Sequence, residues 1–310
     1  GLVLLAVMAL LLADALAVLY LAGGLARLGR RPAATAGLLL ALLAAPLAAS
    51  LAPSPAHASD DTFAMTATRQ THLAYVTTGN PEVDDISRAG LDGLSAFLGQ
   101  RTALQPGAAM GVNLATDELA FFPLIYWPVL PDAPMPSAAV LAKVDAYMKQ
   151  GGTVIFDTRD AIESPGGPDS PLTPAAAKLR EILSGLDIPE LAPVPREHVL
   201  TKAFYLLRDF PGRFTGGTTW VEALPTSAEA ADRPARAGDG VSPVIITSND
   251  LAGAWAIDRT GEPILPLTPG APRQREFAFR AGANMVMYVL TGNYKADQVH
   301  VPALLERLGQ

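Results

Sequence analysis

The amino-acid sequence predicts an α/β fold in which a parallel, doubly wound sheet carries helices on both of its faces. Three observations support this prediction. Strand-like and helix-like patterns alternate from Thr71 to Leu186, the strands read as apolar runs, and tight polar turns join strands to helices. Continuous apolar strands are typical of a sheet covered on both faces, and the alternation is typical of parallel sheets.

The alternation begins with a strand at Thr71–Thr78 and a helix after the turn at Gly79. Asn80 and Pro81 suit the N-cap and first positions of that helix, because the asparagine side chain accepts backbone N–H bonds and proline has no N–H to leave unpaired. The apolar residues of the helix recur mostly at steps of three and four: Val83, Ile86, Leu91, Leu94, Phe97 and Leu98.

The middle of the domain repeats this pattern. Gly111–Ala115 is a short predicted strand, and Leu119–Trp127 is a longer apolar one, in which Pro123 indicates a sheet edge or a bulge. A helix capped by Ser137 ends at Gly151, a residue that tolerates the left-handed conformation. The elements that complete the pattern are the buried strand Thr153–Asp157 and the helix Ala175–Leu186.

From Asp187 to Pro272 the alternation gives way to short strand-like runs separated by turns rich in proline, glycine and aspartate. The segment near 226–240 has no large apolar residue and predicts a mobile insertion. Gln274–Leu290 is a strong predicted helix, and Val301–Leu308 a short one. The strand-like runs are Ala203–Leu207, Thr219–Ala223, Ser242–Thr247 and Ala254–Asp258.

Two apolar segments within residues 1–53 predict a transmembrane hairpin. The runs at about 2–26 and 33–52 are long enough, because roughly 20 apolar residues cross the hydrocarbon core as a helix. The short loop between them carries Arg27, Arg30 and Arg31, which the positive-inside rule places in the cytoplasm. Residues 54–69 then form a linker, and residues 70–310 form an extracytoplasmic domain that lies in the periplasm and is held at the inner membrane by a multi-pass anchor.

A cleaved secretory signal is the alternative interpretation of the second apolar run. Arg30-Arg31, the apolar core and Ala56-His57-Ala58 match the three regions of such a leader. A complete apolar run precedes them, however, which favours the hairpin. Both interpretations export the domain.

Charge and cysteine content exclude several classes of function. The chain of 310 residues has a formal net charge of −7; its first 58 residues contribute +2, which leaves −9 for the rest. An acidic domain argues against nucleic acid as a partner, because phosphate binding needs a basic face. The chain contains no cysteine, which excludes disulfides, thiolate ligands and a cysteine nucleophile. The histidines and glycines follow no metal or cofactor motif, so neither is predicted.

The loop Asp157-Thr158-Arg159-Asp160 is the first candidate site. Ligands of open α/β sheets bind at the carboxyl ends of strands, and this loop follows a buried strand. Asp157 and Asp160 are acid–base candidates, and Thr158 and Arg159 are ligand-binding candidates. A polar loop held by an arginine–aspartate pair is the alternative explanation.

Two further places carry candidate polar groups. His198 is the third acid–base candidate, because imidazole titrates near neutral pH; a capping or packing histidine is the alternative. Arg196, in the same loop, is a further ligand-binding candidate. Arg280 and Asn284 stand four residues apart on the last long helix and therefore share a face. They are expected either to line a cleft or to hold a nearby loop.

Two stretches of the sequence carry a family resemblance. One runs from Gln274 to His300, and the other comprises Pro195–Leu207 together with Phe210-Pro211-Gly212-Arg213. They resemble an uncharacterised bacterial domain that follows BatA-type (aerotolerance regulator) membrane segments in large cell-envelope proteins, with His198 at the family's central histidine. The resemblance covers roughly Thr71 to Gln310. It implies a flavodoxin-like sheet similar to class I glutamine amidotransferases, without their cysteine nucleophile.

The resemblance implies partners rather than a reaction, namely MoxR-type AAA ATPases and von Willebrand-domain membrane proteins. We therefore expect a membrane-anchored extracytoplasmic binding or assembly module of the cell envelope. The alternative is a cysteine-free hydrolase or carbohydrate-processing enzyme that uses Asp157, Asp160 and His198. That alternative requires the three side chains to converge in one pocket.

Overall fold

The computed structural model describes residues 57–163, 172–223 and 241–292. The chain divides into two units, Gly1–Ala58 and Ser59–Gln310, and the description below concerns the second. The predicted hairpin, the insertion near 226–240 and the helix Val301–Leu308 lie outside the described residues. Within the described ranges, no helix is both long and apolar enough to cross a membrane.

A seven-stranded, mostly parallel sheet forms the centre of the fold, in the order β2-β1-β3-β4-β7-β6-β5. The five strands from β2 to β7 run parallel, and β6 and β5 continue the sheet in antiparallel pairing. The predicted parallel α/β sheet is therefore confirmed for β2, β1, β3, β4 and β7. The strands are β1 Ala74–Val76, β2 Met110–Val112, β3 Leu124–Pro128, β4 Thr153–Asp157, β5 Leu191–Pro193, β6 Trp220–Glu222 and β7 Val244–Thr247.

Helices cover both faces of this sheet, because successive residues of a strand point to opposite sides. Tyr126 of β3 and Ile155 of β4 pack into one apolar layer, and their neighbours Ile125 and Phe156 pack into the other. The first layer contains α2 Pro81–Arg101, α5 Leu251–Trp255 and α6 Gln274–Thr291; the second contains α1 His57–Arg69, α3 Ala138–Lys149 and α4 Pro174–Leu183. Short 3₁₀ helices lie at Leu119–Phe121 and Val199–Thr201.

The helix ends follow the predicted capping chemistry. The Asn80 side chain accepts the backbone N–H groups of Glu82 at 3.1 Å and Val83 at 3.4 Å. Ser137 caps α3 in the same way, and Gly151 has a φ of +99° just after that helix. These polar residues satisfy N–H groups that the first turn of a helix leaves unpaired.

The start of the domain differs from the prediction in two ways. Helix α1 occupies most of the segment expected to be a linker, and the Phe63 ring packs edge-on against Phe122 with centroids 6.0 Å apart. Pro123 was expected to indicate an edge or a bulge, but β3 begins only at Leu124 and lies between β1 and β4. This expectation is wrong, because proline is tolerated immediately before an interior strand, where its missing N–H is not needed.

Two predicted strands are also absent from the described structure. Residues 203–207 form an irregular loop, and the run from Ala254 begins inside the short helix α5. The indole N–H of Trp255 donates to the Ala278 carbonyl at 2.8 Å, and the ring is fully buried against α6. Tertiary packing of this large side chain decides the local conformation, which propensity alone cannot foresee.

Candidate functional site

The carboxyl ends of β4 and β7 meet at the centre of the sheet. Asp157, the last residue of β4, is paired with Thr247, the last residue of β7. The loop around Gly212 covers this edge, since the backbone N–H of Phe214 donates to the Asn249 carbonyl at 2.9 Å. The edge of the sheet where ligands of such folds bind is therefore closely packed here.

Asp157 is the hub of this edge and is fully buried. Its Oδ1 accepts the backbone N–H groups of Arg159 at 3.0 Å and Asp250 at 3.2 Å. Its Oδ2 accepts the backbone N–H of Leu251 at 2.7 Å and the hydroxyl of Tyr126 at 3.0 Å. Four donors saturate the carboxylate, so it holds β3, the β4 loop and the start of α5 together.

Burial affects the pKa of Asp157 more strongly than these hydrogen bonds do. Burial, followed by the negative charge of Asp250, raises the pKa of Asp157 to about 7 from 3.8, against the opposing effect of its hydrogen bonds. Burial, with the nearby Asp157 charge, also raises the pKa of Tyr126. Asp157 therefore has a pKa near neutrality, as an acid–base group needs. Both of its carboxylate oxygens, however, are occupied by hydrogen bonds within the fold.

Asp160 is likewise occupied by the fold. The Thr158 hydroxyl donates to its Oδ1 at 2.5 Å, and the Thr173 hydroxyl donates to its Oδ2. Thr173 is also the N-cap of α4, where its oxygen accepts the Ala176 N–H at 3.1 Å. Asp160 and Thr158 thus fasten the loop after β4 to the beginning of α4.

Arg159 lies between Asp157 and Asp160 in sequence but, unlike them, has a side-chain polar atom that forms no hydrogen bond. Its backbone is left-handed with a φ of +59°, and its N–H donates to Asp157. Its Nε is buried and has no hydrogen-bond partner, one of three such side-chain atoms among the described residues, with Ser95 Oγ and Thr219 Oγ1. A non-glycine residue in this conformation is uncommon, and a buried donor without an acceptor is costly. The expected arginine–aspartate pair within this loop does not form.

The polar loop after β7 was not among the sites predicted from the sequence. The Asn249 side-chain amide donates to the carbonyls of Phe210 at 2.9 Å and Gly217 at 3.0 Å. Asp250, with a φ of +54°, forms an ion pair with Arg213 at 3.3 Å. The signal was available, because Asn249 and Asp250 follow β7 just as Asp160 follows β4.

His198 serves as a capping and packing histidine. Its Nδ1 accepts the backbone N–H of Leu200 at 3.1 Å, and its ring meets Tyr288 edge-on with centroids 5.4 Å apart. Burial, and then the charge of Lys202, lowers the pKa of His198 to about 4 from 6.5. The imidazole is therefore neutral at physiological pH.

His198 and Asp157 lie at opposite ends of the strands. The Tyr288 hydroxyl accepts the Ser242 N–H at 2.7 Å, and the Ser242 carbonyl accepts the hydroxyl of Thr153, the first residue of β4. Asp157 ends β4, about 13 Å away along the strand. The structure brings Asp157 and Asp160 into one loop but does not bring His198 to them, so the convergence that the hydrolase alternative requires is not present.

Asn284 holds a loop rather than lining a cleft. Its Oδ1 accepts the N–H groups of Phe204 at 3.2 Å and Tyr205 at 2.7 Å, and its Nδ2 donates to the carbonyls of Leu200 and Tyr205, both at 2.8 Å. All four hydrogen-bonding positions of the amide are used.

The two remaining candidates are arginines near that loop. Arg280 forms an ion pair with Glu276, and its guanidinium lies 5.1 Å from the Tyr205 ring centroid. The Arg196 side chain is exposed, and its carbonyl accepts the Thr201 hydroxyl at 2.9 Å. Neither arginine lies with the β4 loop.

Within the described residues, neither a cluster of metal-binding side chains nor either of two cavities lies at the carboxyl edge. No group of three or more potential metal-binding side chains occurs in the described part of the chain. Two cavities of about 170 and 480 Å³ lie at the other edge, where Pro123 and Gly152 precede β3 and β4. Neither cavity is lined by Asp157, Asp160 or His198, so we do not assign either one as the functional site.

The comparison with known proteins agrees with the α/β domain. A search of curated proteins finds no match to the chain. The family model described as a domain of unknown function, DUF4159, matches residues 72–290, which contain the whole sheet and helices α2 to α5 with nearly all of α6. The chain belongs to the DUF4159 family.

Proposed function

We propose that the chain is a membrane-anchored binding and assembly module of the cell envelope, with its α/β domain in the periplasm. The supporting observation is a contrast at the carboxyl edge of β4. Asp157 and Asp160 are occupied by hydrogen bonds of the fold, whereas Arg159 has a buried Nε without an acceptor. This favours recognition over acid–base chemistry.

The proposed contact joins the Arg159 side chain, which as a whole is only partly buried, to an acidic side chain of a partner protein. A guanidinium presents donors in a planar fork that matches a carboxylate, and such charge-assisted pairs are among the stronger hydrogen bonds. The left-handed backbone of Arg159 agrees with a recognition role, because strained conformations cluster at functional sites.

The strand order supports the flavodoxin-like fold that the sequence resemblance implies. The five parallel strands follow the order β2-β1-β3-β4-β7, which corresponds to the 2-1-3-4-5 order of flavodoxin-like sheets. We therefore propose a fold similar to class I glutamine amidotransferases. In such sheets ligands gather at the carboxyl ends of the strands, where Arg159 lies.

The membrane anchor and the partners rest on the sequence. The apolar runs at 2–26 and 33–52, with the arginines between them, support a hairpin at the inner membrane. The BatA-type resemblance supports MoxR-type AAA ATPases and von Willebrand-domain membrane proteins as partners.

The test is co-purification of the full chain with a co-expressed MoxR-type ATPase and a von Willebrand-domain membrane protein. We expect both to be recovered with the unaltered chain. Arg159→Gln should weaken binding roughly ten- to a hundredfold, because a charged hydrogen bond contributes about 1.5–3 kcal/mol. Arg180→Gln, an exposed arginine on α4, is the matched control and should have no effect.

Thermal unfolding of each variant separates binding from folding. Equal melting temperatures with reduced recovery for Arg159→Gln would support the proposal. If neither partner is recovered with the unaltered chain, the assembly function is wrong. If Arg159→Gln binds both partners normally, the site is wrong.

A further inference from the structure

The loop from Lys202 to Arg208 exposes an unusual pair of apolar side chains. Leu206 is 86% exposed and Phe204 is 38% exposed, whereas Ala203 and Leu207 are buried. The two exposed apolar residues are bracketed by two exposed cations, Lys202 and Arg208. An isolated exposed leucine is ordinary, but a phenylalanine and a leucine framed by basic residues form a defined surface.

Backbone hydrogen bonds to Asn284 and Thr201 hold this loop, hereafter the 202–208 loop, in place. Asn284 binds the N–H groups of Phe204 and Tyr205 and the Tyr205 carbonyl, and the Leu207 N–H donates to the Thr201 carbonyl at 2.8 Å. Because these bonds fix the backbone, the exposure of Leu206 is part of the fold. A fixed loop loses little conformational entropy when it docks.

Aromatic rings and further cations support the loop. Tyr205 contacts the Phe204 ring with centroids 4.8 Å apart and Phe97 with centroids 6.4 Å apart. Arg280 stacks on Tyr205, and Arg101 lies over Phe97 at 5.7 Å. Two acidic groups lie near this cluster: Glu276, which is paired with Arg280, and exposed Asp209, the residue after Arg208.

The local charge is opposite to that of the whole molecule. Lys202, Arg208, Arg101 and Arg280 gather here, although the chain as a whole is acidic. Cations around an apolar tip suit the headgroup region of an anionic bilayer, where basic side chains bind phosphates and apolar ones enter the acyl boundary.

We propose that the 202–208 loop is a second membrane contact, through which the domain docks on an anionic lipid surface. Leu206 and Phe204 enter the interface, and Lys202 and Arg208 bind the headgroups. This inference rests on the proposed anchoring, which brings the domain close to a bilayer. The charge favours lipid, and neither of the two described cavities borders the loop.

The absence of cysteine from the chain permits a direct test. The full-length Leu206→Cys variant is labelled with an environment-sensitive fluorophore and mixed with vesicles that contain a lipid-borne quencher. One set of vesicles is phosphatidylcholine alone, and the other is an equal mixture with phosphatidylglycerol. Ser184→Cys, exposed at the end of α4 on the opposite face of the sheet, is the matched control.

We expect quenching at position 206 with the phosphatidylglycerol vesicles, and much less at position 184 with either set. Lys202→Gln and Arg208→Gln should each shift the docking equilibrium about fivefold towards the undocked state, because a basic residue near an anionic surface contributes about one kcal/mol.

Vesicle flotation, scored separately, distinguishes the two proposals. If the chain floats with both vesicle sets but position 206 is quenched no more than position 184, the anchor stands and the docking loop is wrong. If it floats only with phosphatidylglycerol and position 206 is quenched, the loop stands and the anchor is wrong. Failure to float with either set overturns both. Shielding of position 206 by an acidic protein but not by phosphatidylglycerol would also overturn lipid docking.

Discussion

The Asp157 carboxylate accepts the backbone N–H of Leu251 at 2.7 Å across 94 positions of sequence. The same carboxylate reaches the hydroxyl of Tyr126 on β3. One side chain therefore joins the end of β4, the interior of β3 and the start of α5. One of the three acid–base candidates from the sequence is therefore the centre of a structural network.

Replacement of Asp157 by asparagine is expected to lower the free energy of unfolding by about 2–4 kcal/mol at neutral pH. An amide nitrogen in place of either carboxylate oxygen would face two donors and leave buried N–H or O–H groups unpaired. Urea unfolding of the full chain measures the loss. Asp85→Asn is the control, because exposed Asp85 forms a surface ion pair with Arg88; its effect should stay within about 0.5 kcal/mol. Equal effects of the two variants would contradict the network.

Asp157 and His198 are expected to change the stability of the domain with pH in opposite directions. Because the pKa of Asp157 is raised from 3.8 to about 7, its stabilising contribution is complete below pH 3.8 and is lost as the pH rises to about 7. Because the pKa of His198 is lowered from 6.5 to about 4, its contribution is complete above pH 6.5 and is lost as the pH falls to about 4. The two effects oppose each other in the unaltered chain.

Single variants should reveal each effect. On acidification from pH 7 to 4, the deficit of Asp157→Asn relative to the unaltered chain should grow by about 3 kcal/mol, and that of His198→Asn should shrink by a similar amount. Asparagine is chosen for position 198 because its oxygen can still accept the Leu200 N–H. Denaturant curves at several pH values measure both. Parallel pH profiles for all three chains would refute the assignment.

Gly212 tests the close cover over the carboxyl edge. A Cβ at this position would lie 2.2 Å from the carbonyl oxygen of Asn249, a backbone atom that cannot rotate away. Gly212→Ala is therefore expected to cost about 3 kcal/mol in denaturant unfolding.

Gly79→Ala is the matched comparison. Gly79 has a φ of +80° but no atom within 4 Å of its virtual Cβ, so only the backbone strain of about 1 kcal/mol applies. A larger loss at Gly79 than at Gly212 would show that the loop over Asn249 can move aside.

Local chemistry made much of the fold predictable. The side-chain cap at Asn80, the left-handed Gly151 and the apolar run of β4 are each specified within a few neighbouring residues. The antiparallel strand β5, Leu191–Pro193, was not predicted, because three residues of which none is buried carry no periodic signal.

The candidate site was less predictable, because its assembly depends on contacts distant in sequence. The polar residues after β4 could be identified, but not the fact that Asp157 would be saturated by the backbone of α5. Likewise, nothing near His198 indicates that its loop packs on α6 at the amino ends of the strands. Asn249 could have been found by applying the strand-end rule to β7.

The pairing of β4 with β7 has a consequence for the order in which the domain forms. Phe156, although fully buried in the finished domain, belongs to a strand whose second neighbour is made only when Val244–Thr247 has been synthesised. The nascent chain up to β6 therefore presents an open, apolar sheet edge, the kind of surface on which chaperones act. Contacts of such long range also slow folding. Between the synthesis of β4 and that of β7, this domain is therefore exposed to aggregation through the open edge of β4.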